Sequence, residues 1–140
     1  MNYLYYDILT SDKKDNYSKN LNHTGIYYLG DEYLITQLDD STSSYLDRRN
    51  LLSVTHGKTI TFLVDIEFNN GDVQAIIMIG DQYYHSGSIT TNGEVSVSAN
   101  IPFDASSVTC RLYWYNNSKN DTLKLKKFLV YERLTWLNKR

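Results

Sequence analysis

From Ile60 to Phe68 the chain reads ITFLVDIEF, in which Ile60, Phe62, Val64, Ile66 and Phe68 alternate with Thr61, Leu63, Asp65 and Glu67. Successive side chains of a strand point to opposite sides of a sheet, so this spacing builds one apolar wall and one mostly polar wall. The chain is therefore built around a sheet. Asn69-Asn70-Gly71-Asp72 follows, and then a second apolar run from Val73 to Ile79. Asn-Gly between two such runs predicts a tight hairpin, because a primed turn needs positive φ at its central residues.

The same reading extends along the chain. Residues up to about Asp12 read as a strand, and the polar segment Ser11 to Asn22 has no periodicity, so residues 1–22 are expected to be a connector or an edge strand. Gly25 to Leu29 and Glu32 to Leu38 form two short strands around Gly30-Asp31, and Tyr45 to Leu52 is interrupted by Arg48, Arg49 and Asn50. Thr91-Asn92-Gly93 introduces Glu94 to Ile101, where Val95, Val97, Ala99 and Ile101 share one face. Pro102 ends that strand, since it donates no ladder hydrogen bond. Val108, Cys110, Leu112 and Trp114 are the apolar set of the next strand, opposite Thr109, Arg111, Tyr113 and Tyr115. In the last strand, Thr122 to about Glu132, Leu123 and Leu125 are out of phase with Phe128 and Val130, which predicts a bulge near Lys126-Lys127. No helix of convincing length is present, and Leu134 to Arg140 has room for one turn. Many short strands divided by turn signals predict an all-β fold, an antiparallel β-sandwich or barrel. At 140 residues a single domain over 1–140 is expected.

Composition removes several function classes. A formal net charge of -2 offers no footprint for nucleic acid or for an anionic membrane surface. Cys110 is the single cysteine, so it forms no internal disulfide, and its apolar strand pattern predicts a small buried thiol. One cysteine and three scattered histidines make no zinc site. The N-terminal MNYLYYDILTSDKK has no basic start followed by an apolar segment, so no secretory signal is expected, and no stretch reaches the length of a membrane span. If the chain acts outside a cell, it is expected to be carried there by other means, through release by lysis or incorporation into a particle such as a virion. Asp65 and Glu67 share a strand face but equally describe a solvated sheet. His23, His56 and His85 come without a nucleophile in a recognisable turn, and no glycine loop cradles phosphate, so the chain is not expected to be an enzyme.

Asn50-Leu51-Leu52, the Gly57-Lys58-Thr59-Ile60-Thr61-Phe62 start of a strand, Val108 to Tyr113 and the closing Thr122 to Glu132 together resemble a carbohydrate-binding module of the jelly-roll type, in the broad group of families 4, 9, 16 and 22. Such modules also occur in tail and baseplate proteins of phages. The resemblance covers about the last two thirds of the chain. It implies a jelly-roll sandwich without catalysis that binds a cell-surface saccharide, working with other virion proteins or as a homo-oligomer. It implies no cofactor beyond a structural calcium, for which Asp31, Glu32, Asp39, Asp40 and Glu132 are the available acids.

Sugar rings present flat C–H faces rimmed by hydroxyls, so their receptors combine aromatic rings with planar hydrogen-bonding groups, and tyrosine supplies both. With thirteen tyrosines in the chain, strand alternation singles out Tyr113 and Tyr115 beside Arg111 as the platform. Tyr83, Tyr84 and Glu67 are the expected rim contacts, with His85 nearby in the chain. The competing reading packs these aromatics between sheets or against a partner, making the chain a structural adaptor of a virion that binds no glycan. Trp114 shares phase with Leu112 and is assigned to the core, and Trp136 to a sheet edge or a neighbouring chain.

Overall fold

The computed structural model describes residues 2–6, 18–19, 23–29 and 32–133. Their strands are β1 (Asn2–Tyr6), β2 (Ser18–Lys19), β3 (Thr24–Leu29), β4 (Glu32–Gln37), β5 (Ser43–Arg48), β6 (Thr59–Phe68), β7 (Asp72–Ile79), β8 (Gln82–His85), β9 (Gly93–Asn100), β10 (Val108–Tyr115) and β11 (Thr122–Glu132). A single helical turn, α1 (Leu52–Thr55), lies between β5 and β6. Two antiparallel sheets result. One is six-stranded, in the order β3-β4-β11-β6-β9 with β1 also paired to β11; the other is five-stranded, β2-β5-β10-β7-β8. This is the antiparallel sandwich that the alternation predicts, in the jelly-roll form that the resemblance implies.

Alternation in β6 and β10 is borne out by burial. Ile60, Phe62 and Val64 are fully buried and Ile66 nearly so, while Cys110, Leu112 and Trp114 line the facing sheet. Each of these large side chains contributes about 1.5–3 kcal/mol by leaving water. Phe62 and Phe128 meet with ring centroids 4.7 Å apart. The register of β11 against β6 slips between Leu125 and Lys127, leaving Lys126 as the extra residue. That bulge falls where β11 exchanges neighbours, from β4 over Thr122 to Leu125 to β1 over Leu129 to Glu132. The Gly30-Asp31 turn and the terminal segment with Trp136 lie outside the described residues.

The hairpin expected at Asn69-Asn70-Gly71-Asp72 is not one. β6 pairs with β11 and β9, whereas β7 pairs with β10 and β8. Both strands carry an apolar wall that must be covered, and folding them face to face across the core covers both at once, which pairing them side by side would not. The turn is therefore a corner between the sheets. The Trp114 indole N–H donates to the Asn70 carbonyl at 2.7 Å, and the Thr122 N–H donates to the Asn69 side chain at 3.1 Å. Gly71 has φ +101°, and a Cβ there would lie 2.6 Å from the Tyr115 carbonyl oxygen.

A second crossing, from β4 to β5, is held by a buried side chain. Gln37, fully buried, accepts from the Ser44 hydroxyl at 2.5 Å and donates to the Ser41 hydroxyl at 2.7 Å and to Asp39 at 3.2 Å. Asp39 also accepts from the Ser41 N–H at 3.0 Å and pairs with His23. The Ser41 N–H, then the Ser41 hydroxyl and His23, hold the Asp39 carboxyl down at about 2. Because the folded state favours the ionised form, the contribution of Asp39 is complete above the ordinary value of about 3.9 and is lost as pH falls toward 2. Denaturant titrations across that window should show a shallower loss of stability for Asp39→Asn than for the parent protein.

Gly71→Ala should lower stability by about 1–3 kcal/mol, since it combines a disfavoured φ with a backbone clash. Gly87→Ala, where a Cβ would meet nothing within 4 Å, serves as the comparison and should leave the denaturation midpoint in place.

Candidate functional site

The central strand of the five-stranded sheet carries the site. Along β10, Arg111, Tyr113 and Tyr115 are partly exposed and alternate with buried Cys110, Leu112 and Trp114, so the three share the outer face. Register then adds their neighbours. Arg111 lies between Asp47 and Ile76, Tyr113 between Tyr45 and Gln74, and Tyr115 between Ser43 and Asp72. On β8, Tyr83 is opposite Met78 and His85 opposite Ile76, which brings both rings to this face at its edge.

Arg111 is held in a fixed position. Its Nε and Nη2 donate to the two oxygens of Asp47 at 2.7 and 2.9 Å, and its guanidinium carbon sits 4.1 Å from the centre of the Tyr45 ring. Asp47 is 1% exposed although it points outward, so the fork of two parallel bonds neutralises a carboxylate that water hardly reaches. The same bonds to Asp47 hold the guanidinium's pKa above its usual value. Tyr113 and Tyr115 stack on each other, with centroids 5.0 Å apart and planes 17° from parallel. Each ring therefore gives one face to the other and keeps its second face and its hydroxyl for other contacts. The Tyr115 hydroxyl is 2.5 Å from the Ser88 hydroxyl, which accepts from Gln74 at 3.3 Å, and Gln74 in turn lies 3.4 Å from the His85 imidazole. The face is thus rings and planar polar groups tied together by hydrogen bonds, with Arg111 and the more exposed Arg49, at 3.8 Å, both paired to the Asp47 carboxylate.

Two of the residues expected at the rim are elsewhere. Glu67 belongs to β6 in the other sheet, where it accepts from Lys126 at 3.0 Å, and that bond holds its carboxyl below the usual range. It cannot meet the Tyr113 face because the whole core lies between them. Tyr84 is in register with the buried Ile77, so it projects from the other side of the edge strand, with its hydroxyl donating to Gln82 at 3.1 Å. Tyr45, Asp47, Gln74 and Ser88 were not singled out from sequence. Tyr45 had a signal, being out of phase with Leu46, but nothing local shows that β5 lies next to β10.

The acids considered for calcium do not gather among the described residues. Among the described residues no group of three or more His, Cys, Asp or Glu side chains could hold a metal ion, and Asp31 lies outside them. Asp39 is committed to Ser41 and His23 instead. The described residues do not fit an ion that takes six to eight oxygens. Cys110 is fully buried, and burial pushes its thiol well above its ordinary range.

No protein-family model matches the chain, and no curated protein matches it in sequence. Solved structures do match. The CBM22-1 xylan-binding domain from Paenibacillus barcinonensis Xyn10C superimposes with a TM-score of 0.70 at 10% identity, over 94% of this chain and 94% of that one. The CBM22-1-GH10 modules of a Clostridium thermocellum endo-1,4-beta-D-xylanase, complexed with xylohexaose, give 0.69 at 9% identity; the match covers 96% of this chain but 29% of that longer polypeptide. The enzymatically active domain of bacteriophage CBA120 tailspike protein 4 gives 0.57 at 8% identity, over 84% of this chain and 19% of that one. The fold is the one these modules share.

Arg111→Met should destabilise the protein by about 3 kcal/mol, because it strips the buried Asp47 carboxylate of both close hydrogen bonds and leaves it only the exposed Arg49 guanidinium at 3.8 Å. Adding Asp47→Leu to that variant should recover much of the loss, as read from denaturant midpoints of the two single variants and the double.

Proposed function

We propose that this protein is a noncatalytic carbohydrate-binding module whose ligand lies across the outer face of the five-stranded sheet. The observation that carries the reading is the set of rings, with a fixed guanidinium among them, on that face: Tyr45, Tyr113, Tyr115, Tyr83 and His85 around Arg111. Apolar ring faces suit the C–H side of a pyranose, and the tyrosine hydroxyls, Gln74 and the guanidinium edge suit its hydroxyls. The likeness of fold to xylan-binding CBM22 domains supports the assignment.

The biological setting is a phage tail or baseplate that recognises a saccharide on the bacterial surface, so the protein acts in the virion or outside the cell after lysis. The likeness to a domain of a phage tailspike supports that setting. Shallow single sites are weak, and repeated copies in an assembly supply avidity. Affinity electrophoresis in gels containing soluble xylan or purified cell-wall polysaccharide tests the reading. The parent protein should be retarded, Tyr113→Ala combined with Tyr115→Ala should migrate freely, and Glu67→Gln should behave as the parent. Retardation that survives the double tyrosine variant removes this face from consideration, and a stable oligomer that no glycan retards favours a structural adaptor.

A further inference from the structure

Phe103, in the connection between β9 and β10, is 82% exposed, the highest value among the exposed large hydrophobic side chains of the described residues. It is nonetheless held in place. The outer edge of its ring occupies the space where a Cβ on Gly57 would sit, with Cζ 2.4 Å from that position, and Gly57 has φ +75°. Any other residue at 57 would displace the ring. Gly57 is itself fixed by donating to the Ile101 carbonyl at 2.8 Å, and Ile101 donates to Lys58 at 2.8 Å. His56 meets the ring edge-on, 6.0 Å between centroids, while its Nδ1 lies 3.0 Å from the Leu52 carbonyl.

Beside this ring runs a groove of about 580 Å³ whose polar lining is Asn50, Ser53, His56, Ser106 and Ser107. No Asp, Glu, Lys or Arg contributes to its walls. An exposed aromatic ring bordered by neutral hydroxyls and an amide matches a neutral saccharide: the ring meets the C–H face, and the polar groups can both donate to and accept from hydroxyls. An acidic or basic ligand would bring a charge that no Asp, Glu, Lys or Arg of the groove answers. The groove is also separate from the tyrosine face. Val108, in its wall, and Tyr115 are the first and last residues of β10, which at about 3.4 Å per residue puts them roughly 24 Å apart.

We infer that the groove beside Phe103 is a second saccharide site, selective for uncharged sugar units, at the opposite end of β10 from the Tyr113–Tyr115 pair. The inference takes its ligand class from the function proposed above, but its residues are independent of that face. Nuclear magnetic resonance titration of the ¹⁵N-labelled protein with xylohexaose, cellohexaose, mannohexaose and an oligogalacturonate tests it. At least one neutral hexasaccharide should shift the amides of Ser53, His56, Phe103, Ser106 and Ser107 together, and the acidic oligosaccharide should not. Phe103→Ala should weaken that set by about tenfold or more, as expected on losing one apolar ring contact, while leaving the shifts around Tyr113 unchanged. Its high exposure means that the thermal midpoint should stay in place. Shifts confined to the Tyr113 set overturn the second site and leave the first standing; shifts confined to the Phe103 set do the reverse. A groove silent to all three neutral hexasaccharides, or moved by the oligogalacturonate alone, overturns the inference.

Discussion

The indole N–H of Trp114 donates to the Asn70 carbonyl, and around that bond the chain changes sheets. The residue after Asn70 must be glycine, because the Tyr115 carbonyl fills the space of a side chain. Asn69 and Asn70 reach across to Asp121, joining the β6–β7 corner to the turn between β10 and β11. Three consecutive strands in this half of the molecule, β9 to β11, likewise alternate between the sheets, as do β4 to β7. Each corner therefore sets which apolar walls face each other, and the interior follows from the corners. Gln37 plays the equivalent part between β4 and β5, with a fully buried amide whose hydrogen bonds are met by Ser44, Ser41 and Asp39. Leaving that amide unmet would cost about 1–3 kcal/mol, so the crossing tolerates few alternatives.

The two outer faces of the sandwich differ in kind. On the six-stranded sheet, exposed pairs such as Lys126 with Glu67 and Lys127 with Glu94 keep the surface in water. Pairs of that sort contribute little to stability and leave their side chains in competition with solvent. On the five-stranded sheet, the Asp47–Arg111 ion pair is largely withdrawn from water, and Tyr113 and Tyr115 beside it stack on each other while the Tyr115 hydroxyl bonds to Ser88. A ligand arriving there meets groups whose rotamers are already chosen. Less conformational freedom then remains to be lost on binding, and preorganisation of this kind is worth affinity without adding contact area.

Alternation along β6, β9 and β10, the stop at Pro102 and the phase slip at Lys126 were all legible in the sequence, because a side chain's face in a strand is set by its parity and a broken phase has few remedies. The outward direction of Arg111, Tyr113 and Tyr115 came from the same rule. Partnership did not. Parity assigns Glu67 and Tyr113 alike to polar walls, yet the walls belong to different sheets on opposite sides of the core. Asn69-Asn70-Gly71 reads as a hairpin because the backbone geometry a hairpin needs, positive φ at a glycine, is also what a corner needs. Which strand lies beside β10, and hence that Asp47 fixes Arg111 and Ser88 meets Tyr115, was decided by how two amphipathic layers cover each other, a contact between residues far apart in the chain that no local pattern encodes.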